Sequence, residues 1–228
     1  MRTFFYFFTL ISIITMKKNI VLFVLFILPI VAYLFFASGV NGFTKLPTIT
    51  PNTADLGNWQ SLDGQKVSLN GKVTILGFMG TELLKNRGNL FNLNQKIYQR
   101  YHECKDVQFV MICPTGTEKD AKKVVDALGA FTDVAQWRFV FAPTEEINTY
   151  YSQLKLVEKL DENSGTPKVY IIDKKRNLRG RKLVKDAKEG YNTVHPAELS
   201  NEMLDEFKVI LYEYRAALKK NNNATRKI

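Results

Sequence analysis

Apolar and polar positions change period several times along the chain. Ser61 to Leu69 alternates loosely around a central Asp63-Gly64, a dipeptide that favours a tight hairpin turn. Val73-Thr74-Ile75-Leu76-Gly77-Phe78 is an almost unbroken apolar run, the pattern of a buried strand. Leu90, Leu93, Ile97 and Tyr101 then recur at helical spacing and predict a helix over Asn89 to Tyr101 with one apolar face. Val107 to Cys113 reads as a second buried strand, stopped by Pro114. Thr117 is placed to cap the next helix, whose stripe is Ala121, Val124, Val125 and Leu128. Trp137 to Phe141 predicts a third strand, and Thr144 caps a helix running to about Leu154. Val169 to Asp173 is a fourth strand, turned by Lys174 to Asn177 into a hairpin partner, Leu178 to Leu183. Met203, Phe207, Leu211 and Tyr214 mark a long amphipathic helix from about Ser200 to Lys219.

The order is thus β-β, then β-α-β-α-β-α, then a β-hairpin and a final helix. Strands alternating with helices imply parallel crossovers, and the closing hairpin adds an antiparallel edge. The expected fold class is α/β, a central mixed sheet flanked by helices. The expected organisation is a membrane anchor over 1–43, a linker over 44–60, one domain over 61–219 and a polar tail over 220–228. The linker assignment rests on the Thr, Pro and Asn content between Gly42 and Trp59.

Residues 1–43 carry only Arg2, Lys17 and Lys18 as charges. Ile20 to Ala37 is uncharged, and about 18 residues at about 1.5 Å each span roughly 27 Å, close to the thickness of a hydrocarbon core. Pro29 inside it is tolerated in a membrane helix. Lys17 and Lys18 just before the span place the domain on the extracytoplasmic side. Ala37-Ser38-Gly39 offers the alternative, a cleaved signal peptide with a secreted domain, but the apolar run is longer than a typical signal core. The absence of a Cys near the span excludes a lipoprotein anchor. Met16-Lys17-Lys18 reads as a second start, so Met16 is the expected true initiator.

The net charge is +10, and part of it is concentrated between Lys174 and Lys188. An exported domain is not expected to meet nucleic acid, so the cluster reads as a solvated hairpin and loop, with anionic headgroups or an acidic partner as the sharper alternative. Only Cys104 and Cys113 are present. The strand between them carries the thiols apart, and a bridge needs Cα atoms within about 7 Å, so both are expected to be free.

Few residues are candidates for chemistry. Cys113 ends a strand whose carboxyl edge is where open α/β sheets place ligands, which makes it the one weak catalytic candidate; a small buried hydrophobe is the competing role. His102 and Cys104 are too few for a metal site, and His195 is a lone loop histidine. Glu145 and Glu146 suit a helix's first turn without further purpose. Asp161, Glu162 and Asn163 read as loop. No triad, carboxylate pair or phosphate loop is present, and no cofactor or metal is expected.

Gly165-Thr166-Pro167 directly before an apolar strand ending in Asp173 resembles the thioredoxin fold, in which that proline is cis; the resemblance implies a cis Pro167. Over roughly Leu46 to Tyr214 the chain resembles the SCO/SenC family of membrane-anchored copper chaperones. The carrying stretches are VTILGF, QWRFVFAPTEEINTYY and VYIIDKKRNLRGR, together with the anchor. That family binds copper through Cys-x-x-x-Cys after the first core strand and a later His. Here the first place reads Met79-Gly80-Thr81-Glu82-Leu83-Leu84-Lys85 and the second Asn163-Ser164-Gly165. Soft thiolate and imidazole ligands are missing at both, and so is the thiolate that disulfide exchange requires. The resemblance therefore implies a non-redox binding or assembly module with a protein partner in a respiratory or envelope complex. The alternatives are a one-thiol redox protein using Cys113, or metal delivery by an unrecognised ligand set.

Overall fold

In the computed structural model, which describes residues 21–35, 45–182 and 187–225, the two continuous apolar runs are adjacent parallel strands buried along their whole length. The strands in chain order are β1 (Thr48–Thr50), β2 (Gln60–Ser61), β3 (Val73–Met79), β4 (Val107–Pro114), β5 (Trp137–Ala142), β6 (Gly165–Ile172), β7 (Leu178–Arg179) and β8 (Tyr191–Asn192). They form one mixed sheet in the order β1-β7-β6-β3-β4-β5-β2, with β8 also paired to β6. β3, β4 and β5 are parallel, whereas β6 runs antiparallel to β3. Burial on both faces explains why β3 and β4 lack polar alternation.

The chain divides into two units, Met1–Phe43 and Thr44–Ile228. In the first, residues 21–35 form a helix, α1, with nearly all side chains exposed. No described helix is long and apolar enough to cross a membrane. Met16 and both ends of the expected 20–37 span lie outside the described residues.

In the second unit, α2 begins at Arg87–Leu93, passes through a π-helical segment Asn94–Tyr98 and ends at Gln99–Tyr101. α3 is Glu118–Gly129 and α4 is Thr144–Gln153. The last helix, α5, opens at Pro196–Glu198, passes through a second π segment, Leu199–Met203, and continues as Leu204–Thr225. It thus extends past Lys219 into the stretch expected to be a polar tail. α2, α3 and α5 pack on one face of the sheet through residues such as Ile97, Val124 and Phe207. α4 and the segment before β3 cover the other face, through Ile147, Tyr151, Trp59 and Leu69.

Several expectations need correction. Residues 45–60 are not a linker. β1 pairs with β7, Thr53 Nα donates to the Arg176 carbonyl at 2.7 Å, and Leu56 and Trp59 are buried. Their order comes from partners roughly 90 to 130 residues away in sequence, which a local reading of Thr and Pro does not contain. The Thr166–Pro167 bond is trans, since no cis peptide bond occurs among the described residues. Pro167 lies inside β6, and an extended path through it keeps Gly165 opposite Met79 and Lys168 opposite Asn192. Thr117 precedes α3 without capping it; its hydroxyl donates back to the Pro114 carbonyl at 2.7 Å. Thr144 is the first residue of α4 rather than its cap. Leu183 lies outside the described residues, and β7 itself is short, followed by a single bridge between Arg181 and Lys188.

The basic cluster is solvated only in part, at Lys175 and Lys182. Arg179 is buried and pairs with Asp173 and Glu213, each at 2.9 Å. Arg181 pairs with Glu202 and Glu206, and Lys188 with Glu198 and Glu202. These cations hold the acidic side of α5. Gly180, of the Arg-Gly pair, lies where any Cβ would collide with the Ile49 side chain and the Lys188 carbonyl.

Candidate functional site

The corner where α/β folds of this kind keep their chemistry lies at the carboxyl ends of β3 and β4, beside the start of β6. It is closed by backbone. Met79 pairs with Gly165 after a register shift, and the chain turns at Gly80 with φ +64°. A Cβ on Gly80 would sit 2.9 Å from the Asn163 carbonyl oxygen, and one on Gly165 would sit 3.2 Å from Gly80 Cα. Two glycines are therefore needed for the turn and the loop to touch.

Hydrogen bonds hold that contact. Thr81 Nα donates to the Asn163 carbonyl at 3.2 Å, and the Thr81 hydroxyl donates to Asn163 Oδ1 at 3.1 Å. Asp161 Oδ1 accepts from Asn163 Nα at 2.9 Å and from Gly165 Nα at 2.8 Å. The Ser164 hydroxyl donates to Asn148 Oδ1 of α4 at 3.2 Å. Asp161 and Asn163, read from sequence as loop, are the residues that shape the corner. The signals available were Gly80 directly after a buried strand and Asp161 four residues before Gly165.

Cys113 is fully buried on β4, facing α2, α3 and α5. Its Sγ lies 3.8 Å from the Met111 carbonyl, a weak donor contact. Burial pushes its thiol far up, and the nearby Glu118 carboxylate pushes the same way. The sulfur-bearing side chains of Met79 and Met111 meet over Gly77, where a Cβ would stand 2.8 Å from Met111 Sδ. The neighbourhood is packed core.

The other candidates are scattered. Cys104 is half-buried and free, and His102 Nδ1 lies 3.1 Å from the Gln99 carbonyl of its own helix. His195 is exposed at the start of α5, and the Glu198 Nα donates to its carbonyl at 3.0 Å. Glu145 and Glu146 stand in the first turn of α4, and Glu146 Oε2 accepts the Trp59 indole N–H at 2.7 Å. No group of three or more His, Cys, Asp or Glu side chains that could hold a metal is found among the described residues.

No protein-family model matches the chain, and no curated protein matches it in sequence. Solved structures do resemble it. A SCO1/SenC family lipoprotein from Bacillus anthracis superposes with a TM-score of 0.53 at 16% identity, over 74% of this chain and 99% of that chain. BsSco, a member of the Sco family of cytochrome c oxidase assembly proteins, gives 0.49 at 16% identity over 70% of this chain and 99% of its own. Arabidopsis thaliana ScoI, with copper bound, gives 0.45 at 17% identity over 69% and 98% respectively. The likeness to the Bacillus anthracis protein shows the fold: a thioredoxin-like α/β domain with a mixed central sheet.

Proposed function

We propose that the protein is a membrane-anchored, extracytoplasmic relative of the SCO/SenC proteins that works as a non-redox binding or assembly module. The observation that supports this most is the closed corner, in which Gly80 and Gly165 are in backbone contact where those proteins carry their working thiols. The copper bound by the Arabidopsis neighbour does not fit here. The residues at the two places are Met79-Gly80-Thr81 and Asn163-Ser164-Gly165, and their backbones fill the space between them. The one thiol on the adjoining strand is buried with its acidity suppressed.

Anchoring supplies the rest of the reading. In this reading the apolar span at 20–37 holds the chain at the membrane, and the domain faces outward. Cytochrome c oxidase assembly, the role of the family to which BsSco belongs, points to a membrane complex as the class of partner.

The test is to express the tagged full chain, cross-link in intact membranes and identify what is captured, alongside two assays on the purified protein. One is Cu(I) competition against a strong chelator and the other is reduction of a model disulfide. The expected result is reproducible capture of envelope proteins, with no retained copper and no disulfide reduction. One retained equivalent of copper, or turnover abolished by Cys113→Ala, overturns the non-redox reading.

A further inference from the structure

At the amino ends of β3 and β4, opposite the closed corner, the domain presents cations that the fold leaves unused. Here the chain leaves α2 and enters β4 through Lys105 and Asp106, and the Val73 Nα donates to the Asp106 carbonyl at 2.8 Å. The turn after β6 lies beside them, since the Gly71 Nα donates to the Lys174 carbonyl at 2.9 Å. α5 passes over the same end. Tyr101 of α2 meets Phe207 of α5 edge-on with ring centroids 4.9 Å apart, and the Lys174 ammonium stands 5.6 Å from the Tyr214 ring centre. A cavity of about 220 Å³ lies between these segments, and its lining includes Lys105, Lys174, Tyr214 and Arg215.

Cations here outnumber the carboxylates that could neutralise them. Lys174 pairs with Asp106 at 2.8 Å, and Lys208 of α5 pairs with Asp205 at 2.8 Å. Lys105, Arg215 and Arg100 of α2 are exposed and make no ion pair among the described residues. Glu103 is likewise exposed and unpaired. The charges of Arg100, Lys208 and Arg215 all bear on the Tyr101 hydroxyl, which gathers them around one point. Five cations against three carboxylates leave this face positive. An anion entering the cavity meets Lys105 and Arg215 and offsets the repulsion between them. A cavity of this size takes a phosphodiester rather than a peptide segment.

The tether selects which anion is at hand. Lys45, the first described residue of the second unit, pairs at 3.8 Å with Glu213, two residues before Arg215 on α5. Only residues 38–44 separate Lys45 from the expected span, and so short a chain reaches at most about 25 Å. With that span in a bilayer, Lys45 stays within this reach of the headgroups, where cations are drawn to anionic lipid. We propose that this face docks on anionic phospholipid, with one headgroup phosphate seated in the cavity between Lys105 and Arg215. Docking in this way points the closed corner of Gly80 and Gly165, at the carboxyl ends of the strands, away from the bilayer. The proposal rests on the anchored reading and adds how the domain is held.

The test places the full chain in nanodiscs of phosphatidylcholine alone, or of equal parts phosphatidylcholine and phosphatidylglycerol, and follows acetylation of single lysines by mass spectrometry. Lys105 is the reporter. Lys85, beyond the other end of β3 and with a side chain 73% exposed, is the control. Lys105 should react roughly threefold or more slowly in the anionic discs, and salt near 1 M, where the screening length is about 3 Å, should abolish the difference. Lys85 should react equally in both. Arg215→Glu, at an exposed position, should abolish the protection of Lys105, and Arg215→Lys should keep it. Equal Lys105 rates in the two discs, equal slowing of Lys85, or protection that survives Arg215→Glu overturns the proposal. So does inorganic phosphate slowing Lys105 as much in phosphatidylcholine discs, which would make this a site for a soluble anion. Protection found only in native membranes would assign the face to an acidic protein and overturns it too. Carbonate washing separates the two readings. A chain that resists extraction while Lys105 stays unprotected refutes the docking alone, whereas a chain that is extracted overturns the anchor and the docking together.

Discussion

Arg179 and Asp173 form an ion pair inside the domain, with Nη1 2.9 Å from Oδ2 and side chains 6% and 1% exposed. Asp173 also accepts from Lys175 Nα and Asn177 Nα, each at 2.9 Å, and from Asn177 Nδ2 at 3.0 Å. Arg179 Nε donates to the Leu46 carbonyl at 2.9 Å, and Nη2 reaches Glu213 of α5. The pair therefore joins the β6–β7 turn, the start of the second unit and the last helix. Removing one member leaves the other charge buried and unpaired, which costs about 3–5 kcal/mol. Arg179→Leu should lower the unfolding free energy, measured by denaturant titration, by that amount, and the double variant with Asp173→Asn should recover part of it.

The same region makes stability depend on pH in two opposite ways. Burial pushes Asp173 up, but the Asn177 and Arg179 hydrogen bonds outweigh it and hold the carboxyl below its ordinary value. Its stabilisation is present above the ordinary aspartate range and is lost as pH falls through the lowered value. Glu206 is shifted the other way. Burial raises it, against the Tyr191 hydroxyl, Arg181 and Lys188, with Glu202 adding to the rise. The folded state then binds a proton that the unfolded state releases, so stability increases as pH falls from the raised value toward the ordinary glutamate range. Chemical denaturation across mildly acid pH should show stability rising on acidification, then collapsing below about pH 4. Glu206→Gln should remove the rise and leave the collapse.

Much of the frame was legible because β3 and β4 are buried on both faces and carry no polar alternation to confuse. α3 was legible because Ala121, Val124 and Leu128 keep one stripe. What escaped was held by distant partners. β1 is polar and short, and it is ordered by β7 and by Arg176. Arg181 and Lys188 look solvated in the sequence, and only the docking of α5 gives them Glu198, Glu202 and Glu206. The missing Cys and His were plain to read. That Gly80 and Gly165 close the space was not, since a contact between two glycines about 85 residues apart leaves no periodic trace.

Gly80→Ala tests that closure. The new Cβ would meet a backbone oxygen at 2.9 Å, and φ +64° is strained for any L side chain. The left-handed penalty of about 1–2 kcal/mol adds to the cost of moving the 161–165 loop. Gly165→Ala meets its neighbours at 3.2 Å and needs no unusual φ. Thermal unfolding should show Gly80→Ala to be the more destabilising of the two. Equal stability of Gly80→Ala and the parent would mean that the corner opens freely.

Cys113 decides between the module and a one-thiol redox protein. It is sealed by the core, and burial and the nearby Glu118 carboxylate both disfavour its thiolate. Cys104 is half-buried, and it borders a shallow cavity with Lys105 and Lys174. Maleimide at neutral pH should therefore label Cys104 first and Cys113 only at the rate of unfolding, with both reacting quickly in denaturant. Cys113→Ala should cost about 1 kcal/mol through a small cavity and lost burial, whereas Cys104→Ala should cost less. Capture of membrane partners should survive Cys113→Ala unchanged, because the thiol faces the packed interior. If that variant folds as stably as the parent yet loses its partners, the thiol reaches the surface in the working protein. The closed corner would then be only one of its states.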